Sequence, residues 1–321
     1  MKTLDIISTW IRIVIFSDIL KSTGCTCQWP DGLADSTWLD SEKGELLFTS
    51  DHVTGYDVTH VVTSSTFDTW DCWIYNETGD ILVMRSVDAF APFFVTFSTT
   101  YRCLQLKKIT DNSYRYYELS PIQEDMENAE RMYVNEASDV TNMAELCSRD
   151  LGASGSEFKV MIKSGSESAA RVTCPYALLA DYTFTYTSSD GSVTCRADDV
   201  GTLGMCANTE EVAVTAPSCS RYPLYASSST SVCVDVLEVS GHTYTSLFNG
   251  GSTSTDSALF ACVGLSADGL SLSVSPLYCR KNQVPTELPV ANTGANIGAV
   301  LNLTATSGIE FSKFVSCPFY K

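Results

Sequence analysis

The stretch CQWPDGLADSTW at residues 27–38 recurs in altered form as CPYALLADYTF at residues 174–184. Both begin with a cysteine and reach the pattern Leu-Ala-Asp-x-Thr-aromatic, and the second begins 147 residues after the first. Self-similarity at a fixed spacing predicts two related units in tandem. A shorter echo, Val315-Ser316-Cys317-Pro318-Phe319, predicts that residues 286–321 hold the start of a third repeat.

Around these stretches the sequence is typical of β-structure. Short apolar runs rich in β-branched and aromatic residues, such as Ile81–Met84, Phe93–Phe97 and Tyr182–Tyr186, are separated by turn residues such as Thr78-Gly79-Asp80. The pattern predicts a mainly β protein with two disulfide-rich, β-sandwich-like modules, at residues 25–120 and 173–285.

Residues 121–172 differ from their surroundings in composition and periodicity. Their pattern predicts a helical connector followed by a strand. The segment from Gln123 to Asp150 has no glycine or proline, and its apolar residues recur at helical spacing before Gly152. The run FKVMI at residues 158–162 then returns to strand character. With this connector, the class expected for the whole chain is α+β.

Thirteen cysteines favour an oxidising compartment, because they show no zinc-site spacing and no Cys-x-x-Cys motif. Twelve can form six bridges, leaving Cys25 as a free thiol or as the link in a disulfide-bonded oligomer. The sequence leaves the pairing open. The twelve candidates are Cys27, Cys72, Cys103, Cys147, Cys174, Cys195, Cys206, Cys219, Cys233, Cys262, Cys279 and Cys317.

Secretion is also predicted by the first 24 residues. A mainly apolar run from Ile6 to Leu20 precedes small residues ending at Gly24, as in a signal peptide, although a retained helix is the alternative. No later run reaches the length of a transmembrane helix. The sequons at Asn76 and Asn302 predict N-glycosylation.

The formal net charge of -18 argues against nucleic acid as a partner. The acidic residues are scattered along the chain, a distribution typical of charges that serve solubility alone. Three acids between Asp190 and Asp199 leave calcium binding open, but their spacing is not that of an EF-hand loop. Four glutamates of the predicted helix are expected on its solvated face: Glu124, Glu127, Glu130 and Glu136.

No sequence motif indicates an enzyme or a cofactor. Gly152-Ala153-Ser154-Gly155-Ser156 falls short of the Gly-x-Ser-x-Gly nucleophile motif, and no phosphate-binding or dinucleotide motif is present. We therefore expect no catalytic, cofactor-binding or metal residues. Four tryptophans can stack on sugars or lie in a core, and core is the expectation: Trp29, Trp38, Trp70 and Trp73.

A set of short motifs follows in a fixed order along the chain: Cys27-Gln28-Trp29-Pro30, Trp38, Cys103-Leu104, Ser113-Tyr114, Glu145-Leu146-Cys147, Cys174-Pro175-Tyr176, Tyr182, Phe184, Tyr186 and Cys195, with Cys206, Cys219 and Cys262 after them. In this order of motifs the chain resembles a family of extracellular invertebrate proteins built from tandem cysteine-rich modules of unknown function. The resemblance implies secretion and stacked β modules, and it implies no known activity. Trp29 and Tyr176 replace phenylalanines of the family pattern, and Cys25 has no counterpart.

Together these features predict a secreted, non-enzymatic glycoprotein. It either binds an extracellular protein or glycan or has a structural role in an extracellular matrix or fluid. One alternative is a secreted hydrolase acting through paired carboxylates. Another is an acidic protein that binds calcium or mineral.

Overall fold

The computed structural model describes residues 27–89, 98–136, 139–148, 156–178, 180–189, 201–205, 208–216, 223–250 and 257–306. The predicted signal peptide, Cys25, Phe93–Phe97, the acids between Asp190 and Asp199, and the third-repeat motif at Cys317 lie outside these residues. The described part of the chain is almost entirely β and forms two eight-stranded barrels.

The first barrel winds mainly in chain order, each strand antiparallel to the next. Two short strands, β4 and β5, pair separately, and β10 lies beside β8. The strands are β1 (Ser36–Asp40), β2 (Gly44–Phe48), β3 (His52–Thr54), β4 (Val58–Thr59), β5 (Thr66–Phe67), β6 (Trp70–Asn76), β7 (Ile81–Ser86), β8 (Thr99–Thr110), β9 (Ser113–Glu118), β10 (Tyr133–Asn135) and β11 (Lys159–Lys163).

The second barrel is a closed meander in which every strand pairs with its neighbours along the chain and the last pairs with the first. Its final strand comes from residues 299–305, which lie in the segment that the sequence sets apart as C-terminal. The strands are β12 (Asp181–Ser188), β13 (Gly201–Gly204), β14 (Glu211–Thr215), β15 (Thr230–Val239), β16 (His242–Phe248), β17 (Phe260–Leu265), β18 (Ser271–Pro276) and β19 (Ala299–Ala305).

The expectation of β-sandwiches is wrong, because both sheets close on themselves. Strand β8 is long enough to pair with β7 and with β9, and β11 then joins β9 to β1. In the second unit β12 pairs with β19 over seven residues. Closure pairs the backbone groups that the edges of a sandwich would leave open.

The predicted helical connector is also wrong. Within residues 121–148 the structure has a 3-10 turn at Glu127–Ala129, strand β10 and a four-residue helix, α1 (Met143–Leu146). Asn128 and Ala129 have φ of 60° and 52°, outside the helical region. Residues 121–132 instead form a hairpin-like loop, in which the N–H groups of Gln123 and Met132 donate to the carbonyls of Glu130 and Pro121. Tertiary pairing overrides the local periodicity.

The interior of the first barrel is filled. Alternate residues of each strand point inward and pack around Trp38, Trp70 and Tyr116, leaving a void of about 10 Å³ beside Asp40 and Met161. A space of that size holds at most one water molecule. The lumen of the first barrel is therefore a packed core, which leaves its ends and outer faces for ligands.

Strand β11 joins the two barrels, because both of its faces are buried. Lys159 and Met161 belong to the first barrel, whereas Val160 and Ile162 pack against the outside of the second, including Phe260. Beside this contact the guanidinium of Arg115 on β9 donates two hydrogen bonds to the carboxylate of Asp235 on β15. The barrels share one apolar junction closed by a buried ion pair.

Four disulfides lie in the described residues, two in each half of the chain. Both halves carry a bond from their opening cysteine to a later strand, Cys27–Cys72 and Cys174–Cys233. The other bonds are Cys103–Cys147 and Cys262–Cys279. The prediction of disulfides is confirmed for these eight cysteines. Cys195, Cys206, Cys219 and Cys317 lie outside the described residues.

The disulfides offer a test of how cross-linking stabilises the second barrel. Replacing both cysteines of the Cys174–Cys233 pair with alanine is expected to lower the free energy of unfolding by about 4 kcal/mol, because the bond closes a long loop. The shorter loop of Cys262–Cys279, with a sequence separation of 17, predicts a loss of about 3 kcal/mol. Urea titration of both double variants measures the difference, and the reverse order would contradict this account.

Candidate functional site

Charged side chains occupy one end of the first barrel. Along β8 the inward residues are Arg102, Leu104 and Leu106, so the apolar alternation ends in an arginine. On the paired strand β9 the same alternation runs from Tyr114 through Tyr116 to Glu118. Strand register therefore places Arg102 and Glu118 at the same end of the barrel.

The ionic layer at this end consists of three cations and three carboxylates that face one another. The guanidinium of Arg102 donates to Glu118 at 2.6 Å and also to Glu130. Lys159 bridges Glu118 and Glu42, and Lys43 bonds the second oxygen of Glu130. The layer is charge-balanced, as a buried cluster must be if its ions are to remain ionised.

Aromatic rings complete the surroundings of the layer. The guanidinium carbon of Arg102 lies 4.4 Å from the ring centroid of Tyr56 and 5.6 Å from that of Trp70. The ammonium of Lys159 lies 4.8 Å from the ring of Tyr278, which follows β18 of the second barrel. The layer therefore reaches the junction between the barrels.

The ion pairs outweigh burial in setting the protonation of the layer. Burial raises the pKa of Glu42, but Lys159, Lys43 and Arg102 outweigh it and hold that pKa at about 2. Burial acts in the same way on Glu130, and Arg102 again lowers the pKa. Burial lowers the pKa of Lys159, but Glu118 and Glu42 keep it well above its ordinary value. Glu42, Glu130 and Lys159 are therefore charged at neutral pH.

Asp40 lies next to the layer, but its pKa is raised whereas those of Glu42 and Glu130 are lowered. Its carboxylate accepts hydrogen bonds from the backbone N–H groups of Glu42 and Lys43 and from the hydroxyl of Tyr116. Complete burial nevertheless raises the pKa of Asp40 to about 6, because those bonds only partly replace water.

The layer contains the closest group of potential metal-ligating residues in the described part of the chain. One carboxylate oxygen from each of Glu42, Glu118 and Glu130 lies within 4.8 Å of the others. Both oxygens of Glu118 and of Glu130 already accept bonds from cationic side chains. A metal ion would have to displace these cations, so the residues fit an ion-pair network better than a metal site.

The opposite end of the first barrel carries an open cleft of about 400 Å³. Lys108 and Arg102, six residues apart on β8, place the cleft and the ionic layer about 20 Å from each other. A cleft of this volume is in the usual range for a small-ligand site. The cleft is lined by Gln28, Trp29, Pro30, Asp31, Tyr75, Glu77, Asp80, Leu106, Lys108 and Tyr114.

The walls of the cleft come from the segment before β1, from the turn between β6 and β7 with the end of β6, and from the paired strands β8 and β9. The segment before β1 is tied to β6 by the bond Cys27–Cys72, and the hydroxyl of Tyr114 donates to the carbonyl of Asp31 at 2.8 Å. The turn between β6 and β7 is fixed where the N–H of Leu106 donates to the carbonyl of Asp80 at 2.7 Å. The walls are thus held by backbone-directed bonds and a disulfide.

The carboxylates of the cleft differ from those of the ionic layer. Asp31, Glu77 and Asp80 are exposed and make no ion pair or side-chain hydrogen bond with any described residue. Partial burial raises the pKa of Tyr75, and the negative charges of Asp80, Glu77 and Asp31 raise it further. The three carboxylates therefore lie near enough to Tyr75 to act on it electrostatically.

Trp29 adds an unused donor to this end of the barrel. Its side chain packs edge-on against Phe48 with ring centroids 5.1 Å apart, and the residue is 7 % exposed. Its indole Nε1 has no hydrogen-bond partner among the described residues. Such a buried donor is uncommon in a folded protein.

Some residues that the sequence singled out lie where they were expected, and others do not. Trp29, Trp38 and Trp70 are buried, as expected for core residues. Glu130, expected on a solvated helix face, is buried in the ionic layer. Asn76 ends β6, beside the cleft residues Tyr75 and Glu77, and Asn302 is exposed on β19.

No helix within the described residues is both long enough and apolar enough to cross a membrane. Comparison of the chain with protein-family models, with curated proteins and with solved structures finds no match. The resemblance to the invertebrate family of cysteine-rich modules therefore stays a prediction.

The ionic layer predicts a large difference between two arginines that each bridge two acids. Arg102→Met removes the cation from one oxygen each of Glu118 and Glu130 and leaves the buried layer with a net negative charge, so it is expected to lower the free energy of unfolding by about 3–5 kcal/mol. Arg85 contacts Asp71, Asp139 and the ring of Trp73 at the surface, so Arg85→Met should cost about 1 kcal/mol. Urea denaturation measures both, and equal losses would contradict the importance of burial.

Asp40 predicts a pH dependence with a definite sign. Its pKa is higher in the folded than in the unfolded chain, so the folded state binds more protons between about pH 4 and pH 6. Stability due to this group therefore falls as the pH rises through that interval. Asp40→Asn should stabilise the chain at pH 7 by up to about 3 kcal/mol relative to its effect at pH 4.

Thermal unfolding of Asp40→Asn and of the wild type from pH 4 to pH 7 measures this difference. Asp51→Asn, which removes an exposed carboxylate, is the control and should leave the profile unchanged. A stability difference between Asp40→Asn and the wild type that stays constant over the whole range would show that Asp40 does not titrate there.

Proposed function

We propose that this chain is a secreted, disulfide-stabilised glycoprotein that binds an extracellular partner at the cleft of its first barrel and does not transform it chemically. The observation that carries the proposal is the cleft, which combines about 400 Å³ of open volume with exposed polar groups and aromatic rings. Binding sites of this kind join apolar walls to a few placed polar groups.

The packed lumen supports the choice of the cleft. A barrel of eight strands can enclose a small ligand, but in the first barrel Trp38, Trp70 and Tyr116 fill that space. The four disulfides favour an oxidising extracellular environment. The positions of both sequons, Asn302 on an exposed surface and Asn76 at the end of β6, suit glycosylation.

The carboxylates of the ionic layer favour binding over hydrolysis by an acid–base pair. Glu42, Glu118 and Glu130 lie close together but are held by lysines and an arginine. A general acid needs a pKa near the working pH, whereas that of Glu42 is about 2. These carboxylates also lie at the end of the barrel away from the cleft.

Site-specific photo-crosslinking tests the proposed function. A photoreactive amino acid at Gln28, exposed at the cleft, is expected to capture a discrete partner when the secreted chain meets its native extracellular fluid. The same amino acid at Glu45, exposed on β2, is the control and should capture none. Capture from both positions alike, or from neither, would count against a binding role for the cleft.

A further inference from the structure

We propose that the cleft of the first barrel binds a single cationic side chain, lysine or arginine, presented by a partner polypeptide. This inference rests on the proposed function, since it names the chemistry of the partner at the same cleft. It depends on three features of the cleft: its unpaired carboxylates, its tyrosine rings and its buried donor.

The charge of the cleft is the first feature. Asp31, Glu77 and Asp80 come from two separate segments and present three carboxylates that make no ion pair with a described residue. The one basic side chain of the lining, Lys108, pairs with Asp111 at 2.8 Å and acts more weakly on Asp31, so it offsets at most one of the three negative charges. The cleft therefore has a net negative charge, which favours a cation and opposes an anionic ligand.

Several buried carboxylates elsewhere in the described chain are paired with arginines of the same chain. Glu157 pairs with Arg131, and Asp235 pairs with Arg115. The cleft acids make no such ion pair, although their negative charges raise the pKa of Tyr75 in addition to burial. A cation supplied from outside would complete the same kind of pairing.

The aromatic rings are the second feature. Tyr75, which is half-buried, and Tyr114 both line the cleft. A long aliphatic stem can pack on such rings, and a cation over a tyrosine face gains further attraction. A lysine or arginine side chain offers both the stem and the charge.

The third feature is the indole Nε1 of Trp29, a donor without a partner among the described residues. A polypeptide brings a backbone carbonyl within a few ångströms of each side chain, and that carbonyl can accept from a neighbouring donor. A volume of about 400 Å³ suits one long side chain with its adjoining backbone better than a folded surface. These features favour a peptide over a free metal ion.

Titration with short peptides tests the inference directly. Blocked pentapeptides with lysine or arginine between glycines are added to the full secreted chain, with norleucine and glutamate at the same position as controls. Calorimetry at low and at high salt gives the dissociation constants. We expect the cationic peptides to bind at least about tenfold more tightly than norleucine, and high salt to reduce this difference.

Single neutralising substitutions locate the site. Asp31→Asn, Glu77→Gln and Asp80→Asn are each expected to weaken binding of the lysine peptide by roughly two- to fivefold, as for exposed ion pairs. Asparagine also tolerates the positive φ of 52° at Asp80. Glu45→Gln and Asp51→Asn remove exposed acids elsewhere and should leave binding unchanged.

Thr78→Ala removes the sequon at Asn76 without changing the cleft carboxylates, so it separates any effect of a glycan from that of charge. Equal binding of lysine and norleucine peptides, or equal losses for Glu77→Gln and Glu45→Gln, would overturn the inference. If no cationic peptide binds but crosslinking from Gln28 persists, the proposal of a lysine or arginine ligand is wrong and the cleft remains a binding site. If both fail, both proposals fall.

Discussion

The double contact of Arg102 with Glu118 and Glu130 is the constraint on which the first barrel depends. A buried guanidinium is stable only when its charge is matched, so the strands that carry its partners must meet in one register. Glu130 enters from the loop at residues 121–132, which must therefore run across the barrel end as a hairpin-like loop. This contact and the backbone pairing within the loop explain why residues 121–132 do not form the predicted helix.

The same layer links the two barrels. Lys159 extends from β11 into the layer, while its neighbours Phe158 and Val160 pack at the junction with the second barrel. The pairing of Arg115 with Asp235 closes the junction beside them. Since the ionic layer and the packed lumen occupy the interior, the open cleft at the opposite end is where we propose that the first barrel binds its partner.

Much of the strand content could be predicted, because β-branched and aromatic runs separated by turns are local signals. Closure could not, because it depends on pairs such as Tyr182 with Ala305 that lie far apart in the chain. Arg102 was detectable in principle: it continues the inward alternation of Leu104 and Leu106 on β8. The cleft was not, since segments distant in the sequence assemble it, although the turn after Tyr75 marks one wall.

The ionic layer and β11 couple the two barrels, because Lys159 lies in the layer while Phe158 and Val160 pack against the second barrel. Hydrogen exchange of Lys159→Met, compared with the wild type, measures this coupling. We predict that amide protection falls in β9 and β11 and, to a similar extent, in β15 and β17 of the second barrel, which line the junction. Loss of protection confined to the first barrel, with β15 and β17 unchanged, would contradict the account.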